Sequence, residues 1–201
     1  NNIGTGLEYG VDTLFNLTVN EMPVSTTPCS DLFFSEYIEG SSNNKALEIY
    51  NPTTGIIDLS NYAIRRYNNG AATPSSTFYL SGNLTPGNVY VVANSQADPG
   101  ILAVADITSG IASFNGDDAV ELYDTTNMAV IDIIGEVGVD PGASWPVGTG
   151  ATANNSLIRM ATVDAGALAW SGLGDTQWDV MPTDDFTDLG AHTNTSCTAP
   201  I

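Results

Sequence analysis

Catalysis needs groups that take up protons, attack, or hold a metal, and this sequence offers few of them. It has one histidine, His192, against 23 acids and four basic residues, Lys45, Arg65, Arg66 and Arg159. His192 has no second histidine to work with, and no Gly-x-Ser-x-Gly elbow supplies a nucleophile for it to activate. No His-Glu-x-x-His pair, phosphate-binding loop or dinucleotide fingerprint is present. Glycoside hydrolysis needs only two carboxylates, but in so acidic a chain neighbouring pairs arise without any catalytic purpose. The residues therefore argue against an enzyme. His192, in a polar stretch near Cys197, reads as a solvated tail residue.

The acids suit metal binding better. Asn115-Gly-Asp-Asp118 places an amide oxygen and the carboxylates of Asp117 and Asp118 within one turn. Glu36 and Glu39, beside the Ser41–Asn44 turn, and Asp140, in another turn, add more oxygens. Calcium takes roughly six to eight oxygens, which irregular loops can supply together. Glu36, Glu39, Asn115, Asp117, Asp118 and Asp140 are thus candidate calcium ligands. Their spacing is not that of an EF-hand, and Asp and Asn also stabilise turns by bonding to their own backbone. Both readings stand on the residues. The aromatic residues offer a carbohydrate reading: Trp145, Trp170 and Trp178, with Tyr62, Tyr67 and Tyr123, would make a stacking platform if exposed together. Large aromatic side chains also fill cores, and Trp145, between Ser144 and Pro146, reads as a loop anchor.

Cys29 and Cys197 bracket almost all of the strongly patterned sequence. A disulfide between them would clamp the two ends of one domain. Closing so long a loop contributes about 5 kcal/mol on the chain-entropy model, and such bonds persist outside the cytosol. The net charge of −19 excludes a nucleic-acid partner, because phosphate backbones are bound through Lys and Arg. Apolar residues make up 42% of the chain, enough for a packed core. No apolar run approaches the roughly 20 residues that span a bilayer, so no membrane insertion is expected. A chain of this length fits one domain with a proper core, or one domain with a fragment of another. Since it starts at Asn1 without a leader pattern, it reads as a processed piece of a longer secreted protein.

The elements that would position these residues are short strands. Runs rich in β-branched and aromatic residues, bounded by turn residues, predict strands over Leu32–Glu39, Lys45–Asn51, Tyr62–Tyr67, Thr77–Leu80, Val89–Ala93, Ala119–Asp124, Val130–Ile134 and Ser156–Met160. One phrase occurs twice, as Ala46-Leu-Glu-Ile-Tyr-Asn51 and Ala119-Val-Glu-Leu-Tyr-Asp124. Its alternation predicts a buried face (Leu47 and Ile49, Val120 and Leu122) and a wet face carrying Ala, Glu and Tyr. A short helix begins at Pro99 with Asp98 as its cap. From Ala161 onward the chain reads as a long ordered loop pinned by Trp170 and Trp178. Residues 1–28, with a strand over Thr13–Val19 and a linker from Met22 to Pro28, read as the end of a preceding domain, the alternative being a strand along a sheet edge of the main one. Residues 29–201 form the main one.

The text from Leu32 to Asn51, continued through Ile57–Ile64, Leu84–Ala93, Phe114–Tyr123 and Val130–Gly135, resembles bacterial lamin-tail domains, with five segments in the family's order. The resemblance covers roughly Asp31 to Gly190. It implies an all-β fold, an immunoglobulin-like antiparallel β-sandwich, and a non-catalytic accessory module with no catalytic residues to carry over. The expectation is an adhesion or attachment module of a secreted bacterial protein, extracellular or at the cell surface and stabilised by calcium. The alternative is a carbohydrate-binding module attached to an extracellular enzyme. Expected partners are the other domains of the parent protein and an extracellular polysaccharide or cell-surface component.

Overall fold

A computed structural model describes residues 29–197; the strand and linker expected within 1–28 lie outside the described residues. In chain order the elements are β1 (Phe33–Glu39), β2 (Lys45–Tyr50), β3 (Ile57–Asp58), β4 (Tyr62–Tyr67), β5 (Ser76–Tyr79), β6 (Asn83–Leu84) and β7 (Val89–Ala93). A short helix, α1 (Pro99–Val104), leads to β8 (Ile107–Thr108), β9 (Ala119–Asp124) and β10 (Ala129–Ile134). The last four strands are β11 (Pro146–Val147), β12 (Gly150–Ala151), β13 (Asn155–Arg159) and β14 (Trp178–Met181). All eight expected strands are present, with ends within one residue of those read from the sequence. The helix starts as expected: the Asp98 carboxylate accepts from the Gly100 amide at 2.8 Å.

Two sheets face each other. One has the order β14-β13-β1-β2-β7-β8 and the other β10-β9-β4-β5; β7 and β8 run parallel, while the other pairs in these two sheets are antiparallel. The alternating residues of each strand meet between them. Tyr37, Leu47, Ile49, Val92 and Leu157 come from the larger sheet, and Ile64, Val120, Leu122 and Ile134 from the smaller. Phe114 closes one part of this core, stacked on Tyr37 with ring centroids 4.8 Å apart. Burying a side chain of this size contributes about 1.5–3 kcal/mol, so these positions dominate the stability.

Two expectations are corrected. First, the stretch after Ala161 is not all loop. β14 pairs with β13 in the register Ser156↔Met181 to Arg159↔Trp178. Four residues are too short to show a period, and the strand exists because β13 offers it an edge. Second, the face of β2 expected to be wet is dry: Glu48 is 1% exposed and Ala46 is fully buried. A second apolar cluster forms there, with Ile38, Ala46, Val91 and Ala93 against Ile101 of α1 and Leu189. The segment that follows β14 lies across the outer face of the larger sheet and covers it. His192 belongs to this cover. Its ring packs edge-on against Tyr50 at 4.8 Å and Phe33 at 6.0 Å, so it is not a solvated tail residue.

Candidate functional site

The six oxygen-bearing candidates fall into two places. Asn115, Asp117 and Asp118 lie in the turn before β9, where the Asp118 carboxylate accepts from the amides of Asn115 and Asn69 at 3.3 and 3.1 Å. Gly70 (φ +74°) presses against the backbone at Asp140, where a Cβ would come within 2.8 Å of the Asp140 nitrogen. The Asp140 carboxylate caps the Gly142 amide at 2.8 Å. Thr152 Oγ1 donates to the Gly116 carbonyl at 2.5 Å. Beside it Glu39 ion-pairs with Lys45 and accepts from the Asn154 amide. These contacts gather Glu39, Asn115, Asp117, Asp118 and Asp140 at one end of the sandwich. Their oxygens mostly serve turns and an ion pair, although one Asp117 oxygen is buried without a partner. Burial raises the Asp118 pKa, opposed by the Asn69 and Asn115 amides. Among the described residues no three of His, Cys, Asp and Glu are placed to hold one metal ion. Glu36 stands apart, on the outer face of the larger sheet.

The three tryptophans are corrected as ligand-binding residues. Trp145, Trp170 and Trp178 are 4%, 1% and 3% exposed, all within the core between the sheets, where no sugar can stack on them. Trp145 lies against Gly135 (φ +78°), a position with no room for a Cβ, and Trp178 lies under the Arg159 guanidinium at 4.0 Å. The exposed aromatic surface is elsewhere, on the outer face of the smaller sheet. There the register sets Tyr79, Ala63 and Tyr123 in one row and Thr77, Arg65 and Glu121 in the next. Tyr79 is 68% exposed, Arg65 lies over the Tyr123 ring, and Tyr67 donates its hydroxyl to Glu121 at 2.6 Å. Cys29 and Cys197 are joined, with Cα atoms 5.6 Å apart.

Two buried groups are not expected as pairs from the sequence, although Glu36 is among the candidate calcium ligands. Arg159 and Asp132 form an ion pair with fully buried side chains. Asp132 also accepts from the amides of Phe34, Ala167 and Ile133 at 2.8–2.9 Å, while Arg159 donates to the Phe34 carbonyl at 2.9 Å and to Gln177 at 2.6 Å. Complete burial pushes the Asp132 carboxyl up, and Arg159 with the three amides pulls it back. Glu36 and Glu48 are the other group, directly opposed across β1 and β2. Glu48 accepts from Ser35 Oγ at 2.6 Å and from the Gly190 amide at 2.7 Å, whereas Glu36 Oε1 is buried without a partner. Burial, reinforced by Glu48, Asp188 and Asp185, pushes the Glu36 carboxyl up to about 9. The signals were present: an Asp inside the apolar run Val130–Ile134, one of only four basic residues inside a strand, and a Glu in the middle of β1.

A family model described as Lamin Tail Domain matches residues 25–138. The matched span reaches past β10, and β11 to β14 lie beyond it. No curated protein matches the chain.

Proposed function

Since the chain belongs to the Lamin Tail Domain family, an immunoglobulin-like fold, we propose that it works as a non-catalytic attachment module of a secreted protein, binding through the outer face of its smaller sheet. One observation carries the reading: the two outer sheet faces are treated differently. That of the larger sheet is sealed under α1 and the segment after β14. That of the smaller sheet displays Tyr79 beside the half-buried pair of Arg65 and Tyr123. Tyrosine and arginine supply much of the energy at protein interfaces, and in a chain of net charge −19 a tyrosine–arginine patch is an attractive spot on a repellent surface. The Cys29–Cys197 bond supports work outside the cytosol, where disulfides persist. The partner class is a cell-surface protein.

The test is retention of the fluorescently labelled chain on intact cells, compared with a Tyr79→Ala/Arg65→Ala variant. Both substituted side chains lie at least partly at the surface, so the fold survives. Retention that needs both residues and disappears after protease treatment of the cells supports the proposal. Equal retention of parent and variant overturns the assignment of this face. Retention that survives protease and recurs on chitin or cellulose replaces the protein partner with a polysaccharide, bound by Tyr79 and Tyr123 rather than by the tryptophans.

A further inference from the structure

We propose that residues 185–193 form a pH-gated cover over the apolar outer face of the larger sheet, held closed by a pair of buried, opposed acids and by a half-buried histidine. The cover is fixed at both ends. Asp184 accepts from the Ser41 amide, Ser41 Oγ and Asn44 Nδ2 at 2.9, 2.6 and 2.9 Å. At the far end the Thr195 amide donates to the Ala161 carbonyl at 2.7 Å, and Cys197 is bonded to Cys29. Between these anchors three contacts press the segment down. Leu189 enters the apolar cluster with Ile38, Ala46, Val91 and Ala93, the Gly190 amide bonds to Glu48, and His192 fits against Phe33 and Tyr50.

The groups around these contacts make them conditional. Glu36 on β1 meets Glu48 on β2, with Asp185 and Asp188 from the cover. Glu48 also feels Asp106, before β8. β13 sets the uncharged Ile158 beside Glu36, and β14 sets Asp179 beyond it. The charged groups that act on Glu36 are all acids, and the nearby Arg159 is engaged by Asp132, so the closed cover holds a proton on Glu36. His192 has the opposite need. Burial, with Arg159 nearby, pushes its pKa down to about 4, so the closed cover holds it neutral.

The signs follow from linkage. Glu36 rises from its ordinary 4.5 to about 9; its contribution is fully present below 4.5 and is lost as pH rises towards 9. Burial raises Glu48 as well, opposed by its hydrogen bonds to Ser35 and Gly190, and so acts in the same direction. His192 falls from its ordinary 6.5 to about 4; its contribution is fully present above 6.5 and is lost as pH falls towards 4. Above 4.5 the His192 slope offsets that of Glu36 up to 6.5, while Glu48 tips the balance towards loss with rising pH. The cover is therefore tightest in mildly acidic solution and loosens on both sides. When it lifts, the part of the strip of Ile38, Ala46, Val91 and Ala93 that Leu189 covers is opened beside α1, while the disulfide keeps the segment attached.

Hydrogen exchange of the disulfide-intact chain tests this, with rates converted to protection factors to remove the intrinsic effect of pH. Amides of residues 186–191 are expected to be most protected near about pH 4.5 to 5 and to lose at least about tenfold by about pH 9.5, with β4 and β9 unchanged. Glu36→Gln, a neutral isostere, flattens the alkaline limb, and His192→Phe flattens the acid limb. Asp188→Asn, at an exposed position that does not endanger folding, removes one of the acids that raise Glu36 and Glu48, so the alkaline loss becomes smaller and is complete at lower pH. A flat profile in the parent chain overturns the proposal. So does an alkaline loss of the same size and midpoint in the Glu36→Gln or Asp188→Asn variant.

Discussion

Asp132 and Glu36 are both carboxyl groups removed from water, and they are handled in opposite ways. Asp132 is surrounded by donors: the Arg159 guanidinium and three backbone amides. Glu36 is surrounded by acids, and one of its oxygens has no partner. A buried charge with no compensation costs several kcal/mol, so such a group changes protonation state instead. At Asp132 the protein supplies the compensation, and β10 is tied to β13 and β1 as a fixed joint. At Glu36 the solvent supplies a proton, and the contact lasts only while the proton stays. The same functional group is a rivet in one place and a conditional catch in the other.

The largest effect that would sharpen this contrast is expected from the clasp. Reducing Cys29–Cys197 removes as much as about 5 kcal/mol on the chain-entropy model. If the cover is the conditional part, mild reduction exposes residues 186–191 to exchange before the Asp132–Arg159 joint opens. Simultaneous loss of both would place them in one cooperative unit. Next comes Arg159→Met, which strands Asp132 and is expected to cost about 3–5 kcal/mol in denaturant melts at neutral pH. Without its partner Asp132 binds a proton more readily when folded, so the loss should shrink as the pH is lowered. A loss independent of pH would show that the guanidinium matters for packing on Trp178 rather than for charge. Smaller again is Glu48→Ala, which leaves Ser35 Oγ and the Gly190 amide without their acceptor, at about 1–3 kcal/mol. Because it also removes the charge facing Glu36, its cost should fall as the pH rises from 6 to 9 in the same melts. A cost that grows with pH would break the comparison.

Local pattern and long-range contact explain what was legible in advance. The strands Tyr62–Tyr67, Val89–Ala93 and Ala119–Asp124 were readable to the residue because alternation and flanking turns act within a few positions. The Asp98 cap was readable for the same reason. The fate of Glu48 was not. Its phrase is the same as that around Glu121, and both are buried, but Glu48 lies under Gly190, 142 positions away, whereas Glu121 stays beneath Tyr67 of the neighbouring strand. The tryptophans show the same limit. An indole is equally suited to a core or to a sugar platform, and what decides between them is the packing around it, contributed by Gly135 for Trp145 and by Arg159 for Trp178. β14 is not legible in the sequence because a four-residue strand is specified by its partner more than by itself. The clasp was readable because its two cysteines had no competitors in the chain.

The closeness of the Cys29 and Cys197 Cα atoms, 5.6 Å apart, has a mechanical side. Tension pulling the two ends of the chain apart passes from one flank to the other through a covalent sulfur bridge, so the ladders between β1, β2 and β13 are never loaded in shear. The segment between the bridge and Asp184 is equally spared, so its opening is governed by the solution around it and not by the pull on its neighbours. Such a unit adds almost no length when stretched. It holds its shape under drag and stays sensitive to acid and base.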